Sequence, residues 1–352
     1  MTMMDRPPGD FNRKRPDRDA GLDPNRRPRK KINKRKIIIV NVVLFVVCLG
    51  LILNGWALFD HVLPQEEIPL YMMSASPDAS ETPGPSQSAT PPSETVSPTP
   101  APEGIFLDSG MEKGELSYKS HDLNIQIRKI REYDTNIWVA EVYTRDSSNI
   151  LSAFAQGKFG RSFEQHTQDM ANENGAVIAI SGDNYGDDSD KTGVIIRNGK
   201  LYQDKPKEDI MAIYNDGAMK TYTLPEIDTQ KMQDDGVWQT YAFGPALMND
   251  GKAIEDFTGL TPLPSKNPRT AVGQIEPNHF ILLVTDGRIE GESAGLKMVE
   301  LAKVFEELGC TAAYNLDGGM SSTMVFDGRI INQQPGGGER PLSDCLYFKD
   351  TP

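Results

Sequence analysis

Cysteine is scarce in this chain. Three residues in 352, Cys48, Cys310 and Cys345, include no CxxC pair, which excludes a small disulfide scaffold and a thiolate zinc site. The four histidines, His61, His121, His166 and His279, stand far apart and none belongs to an HExxH motif, so a helix-borne histidine metal site has no support. No GxSxG elbow is present. The segment GDDSDKT at 186–192 has Asp190 where a phosphate loop needs glycine before its lysine, and a carboxylate there repels phosphate. No repeat of fixed period runs through the chain.

What the chain does have is charge, unevenly placed. The whole carries 37 Lys+Arg against 50 Asp+Glu, a formal net charge of −13. Residues 1–36 hold 13 basic and 5 acidic side chains, leaving 24 basic against 45 acidic in the rest. Between the two lies Ile37–Phe59, 23 residues without a charge. At about 1.5 Å per residue it reaches roughly 34 Å, enough for a hydrocarbon core of about 30 Å. The pattern predicts a transmembrane helix over 37–59 with the basic tail, 1–36, in the cytoplasm and the acidic body outside. A cleaved signal peptide is the competing reading, against which stand the long basic region, the length of the apolar run and the lack of a small-x-small cleavage site. The tail's cations belong beside anionic lipid, so no nucleic-acid partner is expected.

Residues 60–103 read as a linker. From Ser74 to Glu103 there are eight prolines in 30 residues and almost no large apolar side chain, a composition that stays extended and cannot offset its ordering entropy. A spacer across a cell wall and a glycosylated stalk both fit this composition.

Residues 104–352 form the body. Strand patterns dominate its first half: 122–131 and 136–144 alternate around Tyr133-Asp134-Thr135, 193–197 and 200–203 flank Asn198-Gly199, and 210–214 and 218–223 flank Asn215-Asp216-Gly217. A polar helix is expected over 162–174. A better-marked one covers 295–308, where Met298, Leu301, Phe305 and Leu308 form a stripe between a candidate cap, Ser293, and a stop, Gly309. Strands outnumber helices without regular interleaving, so the fold class expected is α+β, a strand-rich mixed sheet with few helices.

Three strand-like segments end in glycine-rich, charged loops. In 176–186, AVIAISGDNYG, Gly182 admits close backbone approach while Asp183 and Asn184 offer polar contacts. The acidic group Asp183, Asp187, Asp188 and Asp190 is a candidate calcium site, although it lacks EF-hand spacing. In 267–273, NPRTAVG, Arg269 presents a planar fork suited to phosphate and Thr270 a hydroxyl; the following strand pair delivers Asp286 and Arg288. In 312–324, AAYNLDGGMSSTM, an apolar strand ends at Leu316, Asp317 follows at once, and Gly318, Gly319, Ser321 and Ser322 come after it. A carboxylate beside bare backbone N–H groups and hydroxyls suits polyhydroxylated or anionic ligands. Cys310 and Cys345 are the only thiols outside the apolar run; pairing and burial as free thiols are equally open.

LGCTAAYNLDGGMSST, NPRTAVG, AFGPALMNDGK and the SGDNYG loop together resemble the phosphodiester glycosidase family, over about residues 115–350. The chain departs from the family pattern where Ser181 replaces an asparagine and Asn184 an aromatic residue. The resemblance implies an extracytoplasmic hydrolase that cleaves the C1–O bond of a glycosyl-1-phosphodiester in cell-surface polysaccharide metabolism, with no cofactor required. Its implied catalytic set is Asp317 at the sugar centre or the attacking water, Asp183 as partner acid/base or hydroxyl contact, and Arg269 on phosphate. Gly182, Asn184, Thr270, Asp286, Arg288, Gly318, Gly319, Ser321 and Ser322 would bind substrate. The alternative, kept open by Ser181, is a non-catalytic module that binds phosphate-containing wall glycans.

Overall fold

The computed structural model describes residues 104–160, 162–184, 193–258 and 265–350. The tail, the apolar run 37–59, the linker, and Asp187, Asp188 and Asp190 lie outside the described residues. Among the described residues no helix is long and apolar enough to cross a membrane.

Two antiparallel sheets face each other. The larger has seven strands in the order Glu112–Lys113, Ser117–Lys119, Leu123–Glu132, Thr135–Thr144, His279–Thr285, Thr270–Glu276 and Ala312–Leu316. The smaller has five, Arg329–Ile330, Met324–Phe326, Ile178–Ser181, Asp344–Phe348 and Ile150–Phe154. Every pairing in these two sheets is antiparallel, which corrects the expected mixed sheet. Part of the reason is local: five of the ten pairings join consecutive strands through short connections, which only antiparallel strands allow.

Strand alternation sets three apolar layers. Leu282, Val284, Val272 and Leu316 point between the sheets toward Ile178, Ile180, Met324 and Leu346. Ile281, Leu283, Ala271 and Ala313 point to the outer face, under the helix Met298–Glu307. Ala179, Val325 and Cys345 point out of the smaller sheet toward the helix Thr167–Asn174. The inner strands Ile178–Ser181, His279–Thr285 and Asp344–Phe348 bury both faces, so continuous apolar runs such as FILLV at 280–284 are what the position demands.

The three expected hairpins form, and Tyr133, Asp134, Asn198 and Gly199 take the left-handed angles that such turns require. Both helices are shorter than their sequence patterns. The first starts at Thr167 because Gln165 is engaged in a bridge with Leu342. The second starts at Met298, where Glu300 reaches back to the N–H of Lys297 at 2.8 Å. Ser293 does not cap it; its hydroxyl accepts from the N–H of Asn136 at 3.0 Å.

The thiols are separated by the architecture. Cys310 packs beneath the helix Met298–Glu307 and Cys345 on the opposite outer layer, and both are free and buried.

Candidate active site

The ends of both sheets meet at one edge of the sandwich. There the N–H of Asp317 donates to the carbonyl of Gly182 at 3.0 Å, the N–H of Gly182 to the carbonyl of Asp344 at 3.1 Å, and the N–H of Gly319 to the carbonyl of Pro268 at 2.9 Å. The fold therefore brings together all three glycine-rich loops.

The turn Gly318–Ser321 sits at the centre. Gly319 has φ +65°, and a side chain there would point at the Arg288 guanidinium, 3.4 Å away. A Cβ on Gly318 would stand 2.9 Å from the carbonyl oxygen of Pro268. Glycine is thus required twice, once for conformation and once for close approach. Asp317 is 3% exposed. Its Oδ2 accepts from Nη2 of Arg340 at 2.7 Å, and Nε of Arg340 donates to the hydroxyl of Ser321 at 2.8 Å.

Arg288, itself in a left-handed conformation at φ +59°, donates through Nε and Nη2 to Oδ1 of Asn267 at 3.2 and 2.7 Å and stays exposed at the surface. Arg269 differs. It is buried, and Nε and Nη2 donate to the carbonyls of Leu296 (2.9 Å) and Ser265 (3.0 Å). Burial, with repulsion from Arg288, pulls its ionisation down to about 10. Its donors tie the loop before Thr270 to the loop before the helix Met298–Glu307, so the expected phosphate contact through Arg269 is corrected to a buried clamp whose charge adds to the local positive field.

Asp183 is placed differently from its expected role as well. It is 2% exposed, and its carboxylate accepts from Nη2 of Arg197 at 2.9 Å and from the N–H groups of Ala242 (3.0 Å) and Phe243 (3.0 Å). Arg197 also reaches Oδ2 of Asp344 at 2.6 Å and lies over the ring of Tyr241. Asp183 is thereby a structural member of a buried Asp–Arg–Asp group, and the acid/base assignment is corrected on that ground. The same donors do not fit calcium: an arginine and two N–H groups aim positive charge at the oxygens a cation would need. Among the described residues no group of three metal-ligating side chains occurs.

Of the other expected contacts, Asn184 follows Asp183, half-buried. Thr270, Asp286 and Ser322 are fully buried, and the Thr270 hydroxyl, Asp286 Oδ2 and the Ser322 hydroxyl have no hydrogen-bond partner among the described residues. Asp286 accepts through Oδ1 from Nε1 of Trp138 (3.2 Å) and the N–H of Gln333 (2.8 Å), with Nζ of Lys129 3.6 Å from Oδ2. It fastens the strand end that carries Arg288. Ser181, also fully buried, donates its hydroxyl to the carbonyl of Ser321. It supports the central turn from behind.

Sequence reasoning missed Arg340, Arg197, Asp344 and Asn267. Arg340 follows three glycines at 336–338, the same glycine-then-charge signal that marked the other loops. Arg197 closes the strand Val194–Arg197 and Asp344 opens the strand Asp344–Phe348, each a charge at the end of an otherwise apolar run, a signal for a buried ion pair.

The family model for phosphodiester glycosidases matches residues 174–349. Over 194 residues the chain is 30% identical to an uncharacterised SPβ prophage-derived protein of Bacillus subtilis strain 168, an alignment that takes in 53% of this chain and 30% of that protein, so the chain spans under a third of this relative. The catalytic domain of zebrafish N-acetylglucosamine-1-phosphodiester α-N-acetylglucosaminidase, auto-inhibited by its pro-peptide, has the same fold at a TM-score of 0.53 and 21% identity, covering 69% of this chain and 86% of that one. With half of its length and all three site loops within reach of the family model, the chain belongs to the phosphodiester glycosidase family, hydrolases that act on glycosyl bonds.

Proposed function

We propose that this protein hydrolyses the C1–O bond of a glycosyl-1-phosphodiester at the outer surface of a cell membrane, to which residues 37–59 anchor it, and that its substrate belongs to cell-surface polysaccharide. The observation that carries this reading is the pairing of one carboxylate, Asp317, with a turn of bare backbone overlooked by Arg288. A phosphate leaving group departs with little acid assistance, so the site needs a carboxylate for the oxocarbenium-like centre or the attacking water, and donors for the phosphoryl oxygens. Asp317 meets the first need, and the exposed Arg288 the second. Arg269 and Arg288 repel each other, and an anion between them relieves that repulsion. The body as a whole is acidic, so local donors must hold the phosphate.

The experiment is incubation of the full chain, purified in detergent, with the methyl phosphodiester of N-acetyl-α-D-glucosamine 1-phosphate in ¹⁸O water. Release of the free sugar carrying the label at C1, with methyl phosphate as the other product, supports the reading. Binding of the diester without cleavage would instead support the wall-glycan binding module, and label in the phosphate would overturn C1–O cleavage.

A further inference from the structure

Arg340 belongs to no motif that carried the family resemblance, yet the fold fixes it against Asp317. Its own N–H donates to the carbonyl of Met320 at 3.2 Å, the neighbouring Glu339 carboxylate accepts from the N–H of Thr167 at 2.7 Å, and Leu342 and Gln165 exchange two main-chain bonds of 3.0 Å. The backbone at 339–342 is therefore held from both sides, and the reach of the side chain is what positions the guanidinium.

That guanidinium has two edges. Nε and Nη2 are spent on Ser321 and Asp317. Nη1 makes no hydrogen bond to any described residue, and 43% of the side chain is exposed, against 4% for Asp317. A buried carboxylate thus shares a cation whose other donors face solvent, on the turn that Arg288 overlooks from Gly319.

We propose that Arg340 is a catalytic residue: Nη1 takes a phosphoryl oxygen of the leaving group while Nη2 holds Asp317 ionised and fixed. This rests on the glycosidase reading. As the C1–O bond breaks, its electron pair goes to the phosphoryl oxygen. Water supplies the hydroxyl that bonds to C1, and its proton passes through Asp317 to solvent or to the phosphomonoester. The phosphoryl group gains negative charge only in this step, so a donor aimed at it stabilises the transition state more than the bound diester. One guanidinium then links the two places where charge changes.

The test compares wild type, Arg340→Gln and Arg340→Lys as full chains, on the methyl phosphodiester and on the corresponding 4-nitrophenyl phosphodiester, whose leaving group is less basic. The expected result for Arg340→Gln is a fall in kcat of about 10²–10³-fold with a much smaller change in KM. The defect should be larger on the methyl diester than on the aryl one, and the acidic limb of the kcat/KM profile should move to higher pH, since the carboxylate has lost its cation. Arg340→Lys, which keeps the charge and guards against a folding defect, should recover at least about tenfold of that loss. Equal defects on both diesters, an unmoved acidic limb, or a lysine variant no better than glutamine in an active enzyme would overturn this role while leaving the glycosidase reading intact. An inactive wild type overturns both.

Discussion

Asp317 and Gly182 share one main-chain hydrogen bond, N–H to carbonyl at 3.0 Å, and through it the residue just past a strand end of one sheet is set by a loop of the other. Gly182 in turn rests on Asp344: a Cβ at position 182 would stand 2.1 Å from Oδ1 and 2.9 Å from the main-chain oxygen of Asp344. The placement of the candidate catalytic carboxylate thus depends on a glycine in a loop of the opposite sheet.

Replacing that glycine tests the dependence. Gly182→Ala must push the loop away from the strand Asp344–Phe348, an overpacking that costs about 1–3 kcal/mol. Because Asp317 follows the loop, catalysis should fall by more than stability does, on the order of 10²-fold for a displacement of about 1 Å. Thermal unfolding and diester hydrolysis on the same preparation check this; an alanine variant with normal turnover would show the two loops to be uncoupled.

Asp183 and Asp317 are both acidic residues just past strand ends, and the structure separates their tasks. Removing Asp183 takes an acceptor from the buried Arg197 and from the N–H groups of Ala242 and Phe243. Breaking such a buried group costs about 3–5 kcal/mol, so Asp183→Ala should lower Tm by roughly 10 °C or more for a body of this size. Asp317→Asn keeps a hydrogen-bonding side chain opposite Arg340 and should leave Tm within a few degrees while abolishing turnover. The reverse pattern in a paired melting and activity assay would return the catalytic role to Asp183.

Much of this architecture is legible in the sequence because the strands carry their own signals. Turns such as Asn198-Gly199 require left-handed backbone, and FILLV at 280–284 requires burial on both faces. That SGDN, NPRT and NLDGG are strand ends of one type is equally legible; their meeting at one edge depends on the pairing of distant strands. What the sequence does not display is which charged residues point outward. Arg269 and Arg288 are alike in sequence, each beside a strand terminus, yet alternation carries Arg269 beneath the loop 265–269 and leaves Arg288 on the surface. Asp183 and Arg197 are 14 positions apart, and Asp344 lies far beyond both; only the pairing of Ile178–Ser181 with Asp344–Phe348 makes them neighbours.

The two thiols of the body provide an independent check on the packing. Burial pushes the Cys310 thiol up to about 12 and the Cys345 thiol further. Neither should react with an alkylating reagent at neutral pH while the chain is folded, because only the thiolate attacks. Mass spectrometry before and after denaturation should show both modified only in the unfolded protein, with no mass change on reduction. An intramolecular disulfide between them would contradict their placement on opposite outer layers.

The buried Asp183–Arg197–Asp344 group should also leave a mark on the pH dependence of stability. Desolvation raises Asp344 to about 6 despite Arg197 beside it, with Asp183 adding to the rise. A carboxyl group whose folded-state value exceeds its unfolded value of about 3.9 binds protons more tightly when folded. Its contribution is therefore fully present below about pH 4 and is lost as pH rises through about 6, the opposite of a surface carboxylate held by a cation. Asp344→Asn removes that titration. The variant should be less stable overall, since the two Asp344 oxygens accept from Nε of Arg197 and from the N–H of Asp183, and an amide replaces one of them with a donor. Its stability should nonetheless fall less than the wild type's between about pH 4 and 6. Urea unfolding across this interval measures both slopes, and parallel curves would mean that Asp344 is ionised throughout, with Arg197 outweighing desolvation.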